Sequence, residues 1–320
     1  MKIDVVVNKS KINLKNKKVA ILLCTLQGEK YIEDQINSFL NQSYKNWTLY
    51  VSDDHSTDKT KEIVEKFQVM YGLEKIIRIG PRNGFAAHFI ELTSNEKIKA
   101  DYFAWSDQDD IWEQDKLDVA VKWLNLQPEL KPVVFSSRTT LVDKNNMIIG
   151  ISPLFKKPKT FRNALVQNVG GGNTMVFNSA ARELLNSVSL ASNAVSHDWL
   201  MYQVVTGCGG VFHNDSRPLV RYRQHENNAV GMNNSLGAKL NRLVKIINGR
   251  YQIWNCKNIE IIKSIEQKLL KENQKILHDF YLAKSCNSIK RLIHLKNSGV
   301  YRQGTAENIM LYLACFFRKI

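Results

Sequence analysis

The chain comprises 320 residues with a mass of 36.8 kDa, of which 44% are hydrophobic and 23% are charged. This balance is typical of a globular protein with a sizeable core, and it excludes disordered, collagen-like and coiled-coil chains. The formal net charge is +15, yet residues 236–320 alone hold 16 Lys and Arg against 5 Asp and Glu, so the first 235 residues are nearly neutral.

Apolar strand-like runs alternate with stretches of helical periodicity over residues 18–135. Buried strands are predicted at 19–24, 47–51, 76–79, 102–105 and 133–137. Helices are predicted at 32–40, 58–67, 84–93 and 115–124. This order implies right-handed crossovers and an α/β fold, with a mainly parallel central sheet flanked by helices. In such sheets ligands bind beyond the carboxyl ends of the strands.

The pattern is mixed up to about residue 223 and helical after Gly237. Residues 170–172 (GGG) are the clearest loop of the mixed part. Apolar residues of the last part recur at intervals of three and four, which predicts two or more amphipathic helices. These residues are Leu240, Leu243, Val244 and Ile247, then Ile261, Ile262, Ile265 and Leu269, then Ile276, Leu277 and Phe280.

No segment of the sequence predicts a membrane span or a secretory signal. The longest uninterrupted apolar run, residues 309–317, is shorter than the about 20 residues that a spanning helix needs. Residues 1–16 lack an apolar segment followed by small residues. The five cysteines show no C-x-x-C spacing, which argues against a disulfide framework and a structural zinc site. We therefore expect a cytosolic protein with reduced thiols.

The basic region at 236–320 has three candidate partners, which are nucleic acid, an anionic membrane surface and an anionic lipid-linked substrate. A helical packing or oligomer element with a solvated basic face is the competing interpretation. Composition alone does not decide between them.

Two adjacent acids, Asp53 and Asp54, follow the second predicted strand. Their negative charges repel each other unless a donor or a positive group approaches, and a nucleobase imide or a ribose hydroxyl would satisfy them. Asp58 is more simply explained as a cap of the next helix.

Three further carboxylates, Asp107, Asp109 and Asp110, follow the fourth predicted strand. A D-x-D pattern suits Mg²⁺ or Mn²⁺, because oxygen ligands from alternate residues can reach one cation that also binds substrate phosphates. The sequence contains neither G-x-G-x-x-G nor G-x-x-x-x-G-K-[ST], so a diphosphate would be held mainly by the metal and by basic side chains.

The segment around His225 supplies further candidates. A neutral imidazole is a possible additional metal ligand, and Arg221 and Arg223 are suited to grip phosphate. The alternative for His225 is a histidine that is hydrogen-bonded within a loop.

These motifs, taken in order, resemble the inverting glycosyltransferases of family 2, which have a GT-A nucleotide-binding fold. The matching segments are 24–32 (CTLQGEKYI), 52–58 (SDDHSTD), 82–85 (RNGF) and 106–112 (SDQDDIW). The later segments 171–174 (GGNT), 197–199 (HDW) and 222–225 (YRQH), followed by 227–228 (NN) and 230–231 (VG), resemble the bacterial branch that includes rhamnosyltransferases for cell-surface polysaccharide. The resemblance covers about residues 18–230.

The resemblance implies a role for each group of residues. Asp198 is the expected catalytic base, and the expected metal ligands are Asp107, Asp109 and His225. The expected nucleotide-sugar contacts are Thr25, Glu29, Asp53, Asp54, Asn83, Gly84, Asp107, Gln108 and Arg223. The expected acceptor contacts are Gly171, Gly172, Asn173 and Trp199.

Two positions depart from the family pattern. Leu200 follows Trp199 where this branch often carries a second aromatic residue, which bears on stacking at the acceptor site. His55 stands where glycine is usual, so the turn of that loop is left open.

The function expected from the sequence is metal-dependent inverting transfer of a sugar, with L-rhamnose as the expected sugar, from a UDP- or dTDP-sugar. The acceptor would be a hydroxyl of a lipid-linked or growing cell-surface polysaccharide. The expected domains are an extension at 1–17, the catalytic domain at 18–235 and the basic helical region at 236–320. We expect a cytoplasmic protein that is peripheral on the inner face of the membrane, and the sequence leaves its oligomeric state open.

Two other classes remain as alternatives. A nucleotidyltransferase shares the sheet and the metal-binding carboxylates, although residues 25–29 (TLQGE) are a poor triphosphate loop. A non-catalytic membrane- or nucleic-acid-binding protein is favoured only by the sequence pI near 9.5. We expect no nucleic-acid partner, because no recognised nucleic-acid-binding motif is present.

Overall fold

The computed structural model describes residues 16–71, 77–225 and 250–320. Its first part confirms the predicted alternation of strands and helices, with boundaries that differ by a few residues. The elements are β1 (Val19–Thr25), α1 (Ile32–Leu40), β2 (Trp47–Asp53), α2 (Thr60–Tyr71), β3 (Ile77–Ile79), α3 (Phe85–Ser94) and β4 (Tyr102–Ser106).

The second part resolves what the sequence pattern left as mixed. The predicted strand at 133–137 continues to Val142, because its partner strand runs beside it over the whole length. The elements are β5 (Ile111–Trp112), α4 (Lys116–Leu124), β6 (Val133–Val142), β7 (Ile148–Ile151), α5 (Phe161–Ala164), β8 (Val176–Asn178), α6 (Ser179–Asn186), α7 (His197–Gly207) and β9 (Val211–Arg223).

The strands form one sheet in the order β3-β2-β1-β4-β8-β6-β9-β5, and β7 pairs with β6. The strands β3, β2, β1 and β4 are parallel, which is the arrangement that the sequence predicted. Antiparallel β8 joins β4 to β6, and β9 runs parallel to β6 and antiparallel to β5. Because β1 lies between β2 and β4, the loops that follow these three strands meet at one edge of the sheet, where ligands bind in open α/β sheets.

The period of two along β1 divides the core between the two faces of the sheet. Ile21 and Leu23 pack in the cluster that contains residues of α1 and α4. Ala20 and Leu22 belong to the other cluster, which includes residues of α3, α6 and α7. A strand that is buried on both faces explains why 19–24 is an unbroken apolar run.

The last part of the chain is helical, as predicted. The first of its helices ends at a position across which the apolar periodicity of the sequence continues. The helices are α8 (Arg250–Lys263), α9 (Lys271–Ser285), α10 (Ser288–Ser298) and α11 (Thr305–Phe316). Ile265 and Leu269 do not continue α8, because a 3₁₀ turn at Glu266–Lys268 follows it and the backbone N–H of Leu270 donates to the Gly207 carbonyl. The helix predicted around 240–247 lies outside the described residues.

These helices share a core with the sheet. Ile262, Leu269 and Phe280 belong to the same buried cluster as Leu22 and Leu200. Within the described ranges, no helix combines the length and the apolar content that crossing a bilayer would require.

Candidate active site

The first carboxylate of the site is anchored between β1 and β2. Thr25 and Asp53 are aligned at the carboxyl ends of these strands, and Thr25 Oγ1 donates to Asp53 Oδ2 at 2.8 Å. Ser56 donates to the same carboxylate through its backbone N–H (2.8 Å) and its hydroxyl (2.6 Å). Asp53 is only 3% exposed, and these donors let its carboxylate fix the loop that follows β2.

Asp54 connects that loop to the one after β3. Its Oδ1 accepts the backbone N–H of Arg82 at 2.8 Å. The next residues, Asn83 and Gly84, are exposed, and a Cβ on Gly84 would meet no atom within 4 Å. The loop that begins α3 therefore presents open surface beside the acids of β2.

Gln108 ties the loop after β1 to the loop after β4. Its side chain accepts from the backbone N–H of Leu26 (2.7 Å) and donates to the Leu26 carbonyl (2.8 Å). This contact leaves no room for a side chain at Gly28, where a Cβ would lie 2.4 Å from Gln108 Oε1. Glu29, one residue on, is exposed and its Oε2 accepts the backbone N–H of Lys59.

The carboxylates that follow β4 form a crowded acidic cluster. Burial, and then the negative charges of Asp109 and Asp198, raise the pKa of Asp107 to about 8. Burial, and then Asp109 and Asp107, also raise the pKa of Asp110. Asp110 is fully buried and accepts from Asn173 Nδ2 (2.5 Å) and from the backbone N–H of Arg223 (3.1 Å).

A buried lysine faces this cluster from α4. Lys116 is fully buried, and its Nζ has no hydrogen-bond partner among the described residues. The amine lies 3.1 Å from the ring centroid of Trp112, so the ring face supplies its contact. Burial lowers the pKa of Lys116 against the opposing effect of Asp110 and Asp107.

The end of β9 closes the site on the side of Asp109. His225 Nε2 lies 2.8 Å from Asp109 Oδ2, and its ring stacks on Tyr31 with centroids 5.2 Å apart. Arg223 is 2% exposed and donates to Asp34 Oδ2 (2.9 Å) and to the Asp109 carbonyl (3.0 Å). The arginine predicted to bind phosphate thus joins α1 to the D-x-D loop in this structure.

The donor set suits a cation that arrives with its substrate. In residues 16–71, 77–225 and 250–320, no three His, Cys, Asp or Glu side chains converge as the ligands of a metal ion. Mg²⁺ in phosphate sites takes only one or two protein carboxylates, and substrate phosphates and water complete its coordination. Asp107, Asp109 and the adjacent imidazole of His225 fit that pattern, and a cation would relieve the repulsion among the acids.

Asp198 reaches this cluster from the start of α7. Its Oδ2 accepts the backbone N–H of Gly172 at 3.0 Å, and its Oδ1 accepts from Ser196 Oγ (2.5 Å) and from the backbone N–H of Trp199 (2.7 Å). The position at the N-terminus of a helix favours a negative charge. The residue that follows Gly172, Asn173, donates to Asp110, so the loop at 171–173 connects Asp198 to the acidic cluster.

His197 lies beneath the same loop. It is 4% exposed, and neither ring nitrogen has a hydrogen-bond partner among the described residues. Its ring stacks on Phe89 with centroids 4.1 Å apart and lies edge-on to Trp105. A Cβ on Gly172 would lie 2.3 Å from His197 Nε2, so glycine is required for this close approach. Burial lowers the pKa of His197 to about 4.

The residues expected at the acceptor site divide into two groups. Gly171 is exposed, and it begins the loop that contacts Asp198. Asn173 and Trp199 are 5% and 6% exposed, and their side chains donate to Asp110 and to the Ala164 carbonyl respectively. The two buried side chains thus support the loop from below in this structure.

Sequence reasoning missed several members of the site. Gly28 and Asp110 stand inside the quoted motifs without a role, and Asp34 and Lys116 were not singled out. Their roles depend on contacts with Gln108, Arg223 and Trp112 across the fold, which no local pattern reveals.

The comparisons with known proteins agree with this architecture. Residues 20–185 match the model of Glycosyl transferase family 2. The chain is 32% identical over 246 residues to the dTDP-rhamnosyl transferase RfbG of Shigella flexneri, an alignment that covers 72% of this chain and 81% of that protein.

Solved structures support the same fold. The TarS 1-349 fragment of S. aureus in complex with UDP has a TM-score of 0.53 at 15% identity, and the match covers 88% of this chain and 89% of that one. The mannosyltransferase PcManGT of Pyrobaculum calidifontis, in complex with GDP-Man and Mn²⁺, also has a TM-score of 0.53 at 15% identity, with coverages of 95% and 84%.

The family match, together with the sheet and the carboxylates that follow β2 and β4, defines a glycosyltransferase of the GT-A fold. More particularly, the chain belongs to glycosyl transferase family 2 and is an enzyme of that family.

Proposed function

We propose that this protein transfers a single sugar, L-rhamnose, from a dTDP- or UDP-sugar to a hydroxyl of a lipid-linked or growing cell-surface polysaccharide, with inversion. The observation that carries the proposal is the link between Asp198 and the D-x-D segment, since Asp198 accepts the backbone N–H of Gly172 and the next residue, Asn173, donates to Asp110. The similarity to a dTDP-rhamnosyl transferase supports the choice of donor.

The nucleotide is proposed to bind over the ends of β1 and β2. Thr25, Asp53 and Asp54 would border the base and ribose, with Glu29 at the open side. Asn83 and Gly84 offer exposed backbone next to Asp54, and Gln108 holds the loop of β1 against the D-x-D segment. Arg223 contributes by fixing Asp109 from behind through its carbonyl.

A divalent cation, Mg²⁺ or Mn²⁺, is proposed to be held by Asp107, Asp109 and His225. When bound it would neutralise charge on the diphosphate of the leaving group. The protein's own contribution is to hold the two carboxylates and the imidazole beside each other. Tyr31 and Arg223 restrict His225 and the Asp109 loop respectively.

Asp198 is the proposed catalytic base. Its carboxylate would take the proton of the acceptor hydroxyl while that oxygen bonds to the anomeric carbon and the bond from this carbon to the diphosphate oxygen breaks. The N–H of Gly172 and the hydroxyl of Ser196 orient the carboxylate. Gly171, Gly172 and Asn173 form the loop at which the acceptor would enter, with Trp199 packed behind it.

The proposed domains and the proposed location follow from the proposed catalytic site and acceptor. Residues 18–235 would supply the catalytic domain, and 236–320 the basic helical region, after an extension at 1–17. A lipid-linked acceptor would place the enzyme on the cytoplasmic face of the membrane, where basic residues are attracted to anionic lipid.

Ligand-induced thermal stabilisation tests the donor proposal. We expect dTDP or UDP with Mn²⁺ to raise the melting temperature, by an amount that corresponds to about 2.7 kcal/mol at one hundred times the dissociation constant. GDP and CDP, or any nucleotide with chelator, are expected to give much smaller shifts. A larger shift with GDP, or one that is unchanged by chelator, would overturn the donor or the metal assignment.

Two variants separate binding from transfer. Asp109→Ala is expected to abolish the metal-dependent nucleotide shift, whereas Asp198→Asn keeps the shift and loses sugar transfer. Asp118→Ala, which removes a carboxylate on α4 that pairs with Lys122, is the matched control and should change neither. Equal loss of nucleotide binding in both site variants would show that Asp198 is not the base.

A further inference from the structure

The last helix, α11, is apolar on both its buried and its exposed sides. Leu311, Ala314 and Cys315 pack in the main core cluster. The exposed side carries Ile309, Tyr312, Leu313 and Phe316, spaced by three, four and seven positions, and Phe317 follows the helix. Their exposed fractions are 59%, 37%, 45%, 41% and 64%. We call these five residues the apolar stripe.

Within the part of the chain that the structure describes, this stripe does not belong to the buried core. Single exposed apolar residues are ordinary, whereas four large ones on one helix face, with a fifth directly after the helix, mark an interaction site. The core already takes the opposite side of α11, so the stripe is available to a partner outside the described part of the chain.

Positive charge surrounds one end of the stripe. Arg291 Nη1 donates to the Cys315 carbonyl at 3.1 Å, so the start of α10 lies beside the end of α11. Arg318, which is exposed, follows α11 three residues after Cys315 and so belongs to the same end. Exposed Lys290 belongs to the same end of α10, and the sequence of α10 contains no Asp or Glu.

We propose that the apolar stripe docks on an anionic lipid bilayer, with Lys290 and Arg318 against the lipid headgroups. Aliphatic and aromatic side chains on one face of a helix, bordered by cations, are the composition of helices that lie in the membrane interface. Anionic headgroups complement the cations, and the acyl boundary takes the apolar side chains.

A second copy of this chain fits the surface less well. If a fully exposed aromatic side chain offers about 200 Å², the stripe exposes on the order of 500 Å², whereas a stable interface needs about 800 Å² from each partner. A two-fold dimer would also bring the same cations of both copies together.

Flotation of the full chain with vesicles tests the proposal. We expect co-flotation with vesicles of phosphatidylcholine and phosphatidylglycerol, little with phosphatidylcholine alone, and weaker binding at high salt. The double variant Leu313→Gln/Phe317→Gln should lower the partition coefficient at least about tenfold, since two apolar side chains no longer enter the interface. Lys290→Glu/Arg318→Glu should remove the preference for the anionic lipid.

Matched substitutions on another surface are the controls. Leu126→Gln/Leu130→Gln replaces two exposed leucines after α4, which are 62% and 93% exposed, and Lys66→Glu/Lys131→Glu reverses two exposed lysines elsewhere. Both control proteins should float like the original. The proposal would be overturned if the control variants lost vesicle binding as much as the stripe and cation variants do, or if the original protein did not float with vesicles. The proposal would also be overturned if light scattering showed a dimer of the original protein, and if Leu313→Gln/Phe317→Gln dissociated this dimer while its vesicle binding stayed unchanged.

The test does not depend on sugar transfer. Each variant is first checked by its melt and by its nucleotide-induced shift, which should equal those of the original protein because the stripe lies outside the candidate active site. Loss of vesicle binding with an intact nucleotide shift therefore concerns the surface alone.

Discussion

His55 holds the turn after β2 in the left-handed region, with φ of 68°. Glycine enters this region without steric cost, whereas other residues do so at about 1–2 kcal/mol. The position where the family pattern usually has glycine thus adopts a conformation that favours glycine. The flanking Asp53 and Ser56 keep their hydrogen bonds and hold the histidine there.

Gly28 is a position where one methyl group should disturb the proposed nucleotide site. Gly28→Ala would push Gln108 from its two hydrogen bonds with Leu26, so we expect a loss of about 1–2 kcal/mol in the free energy of unfolding and a smaller nucleotide-induced shift. Urea unfolding and nucleotide melts measure both. Gly150→Ala is the control, because its Cβ would meet Leu141 at an ordinary 3.7 Å.

His197 should make the stability of the protein depend on pH. Its pKa is about 4 in the folded chain, against an ordinary value of 6.5, so the unfolded chain binds the proton first as the pH falls. The stabilisation is complete above pH 6.5 and is lost towards pH 4, with a total of about 3 kcal/mol.

Urea unfolding between these pH values tests this prediction. His197→Gln should show a shallower loss of stability on acidification than the original protein, whatever its stability at neutral pH. His213→Gln is a useful comparison, since burial lowers the pKa of His213 less far. Parallel pH profiles of the original protein and His197→Gln would contradict the assignment.

The residues at strand ends were the easiest to predict. Asp53, Asp54, Asp107 and Asp109 follow apolar runs directly, and parallel strands carry their ends to one edge. Lys116 could not be predicted in the same way, because its environment is a tryptophan face and acids that reach it only in the folded chain.

Among the strands, β9 shows why part of the fold escaped prediction. Its sequence contains Pro218, which argues against a strand interior, and its burial does not alternate. The pairing with β6 tolerates the proline because the register shifts at Arg138, its partner. Pairing with neighbouring strands, rather than an apolar pattern in its own sequence, therefore determines this strand.

Arg223, at the end of β9, should be sensitive to a conservative change. Its guanidinium joins Asp34 of α1 to the Asp109 carbonyl, a fork that lysine cannot reproduce. We expect Arg223→Lys to lower the free energy of unfolding by about 1–3 kcal/mol and to weaken metal-dependent nucleotide binding.

The control for this change is another arginine of the same strand. Arg217 pairs with Asp215 and has a side chain that is 55% exposed, so Arg217→Lys should cost less than about 1 kcal/mol. If the two variants unfold at the same urea concentration and bind nucleotide equally, Arg223 does not connect the site to α1 in the way described.

The shared core makes the sheet and the C-terminal helices depend on each other. Phe280 of α9 is fully buried in the cluster that contains Leu22 of β1. We expect Phe280→Ala to lower the free energy of unfolding by about 3–5 kcal/mol in a single calorimetric transition. Ile253→Ala, at a residue that is 58% exposed, is the control and should change it little. Two separate transitions would show that the parts fold independently.

The α/β class could be predicted over the first 135 residues, because each strand or helix there shows its own apolar pattern in the sequence. The ends of the C-terminal helices could not be predicted in this way. Ile265 and Leu269 keep a helical spacing across a turn that Gly207 and Asn273 stabilise. Apolar spacing reports which side chains are buried, and contacts with other elements decide where a helix stops.

The distance along the chain between the two sides of the D-x-D loop has a consequence for synthesis. Asp109 meets His225, and Asp110 meets Arg223, across 116 and 113 residues. Contacts between residues so far apart in the sequence form late, because the entropy cost of closing a long loop comes before the contact stabilises the chain. A nascent chain that has emerged only to β8 therefore already holds the residues proposed to border base and ribose, but it lacks Arg223 and the proposed metal ligand His225. Affinity for nucleotide and metal should arise at the ribosome only once residue 225 has left the exit tunnel.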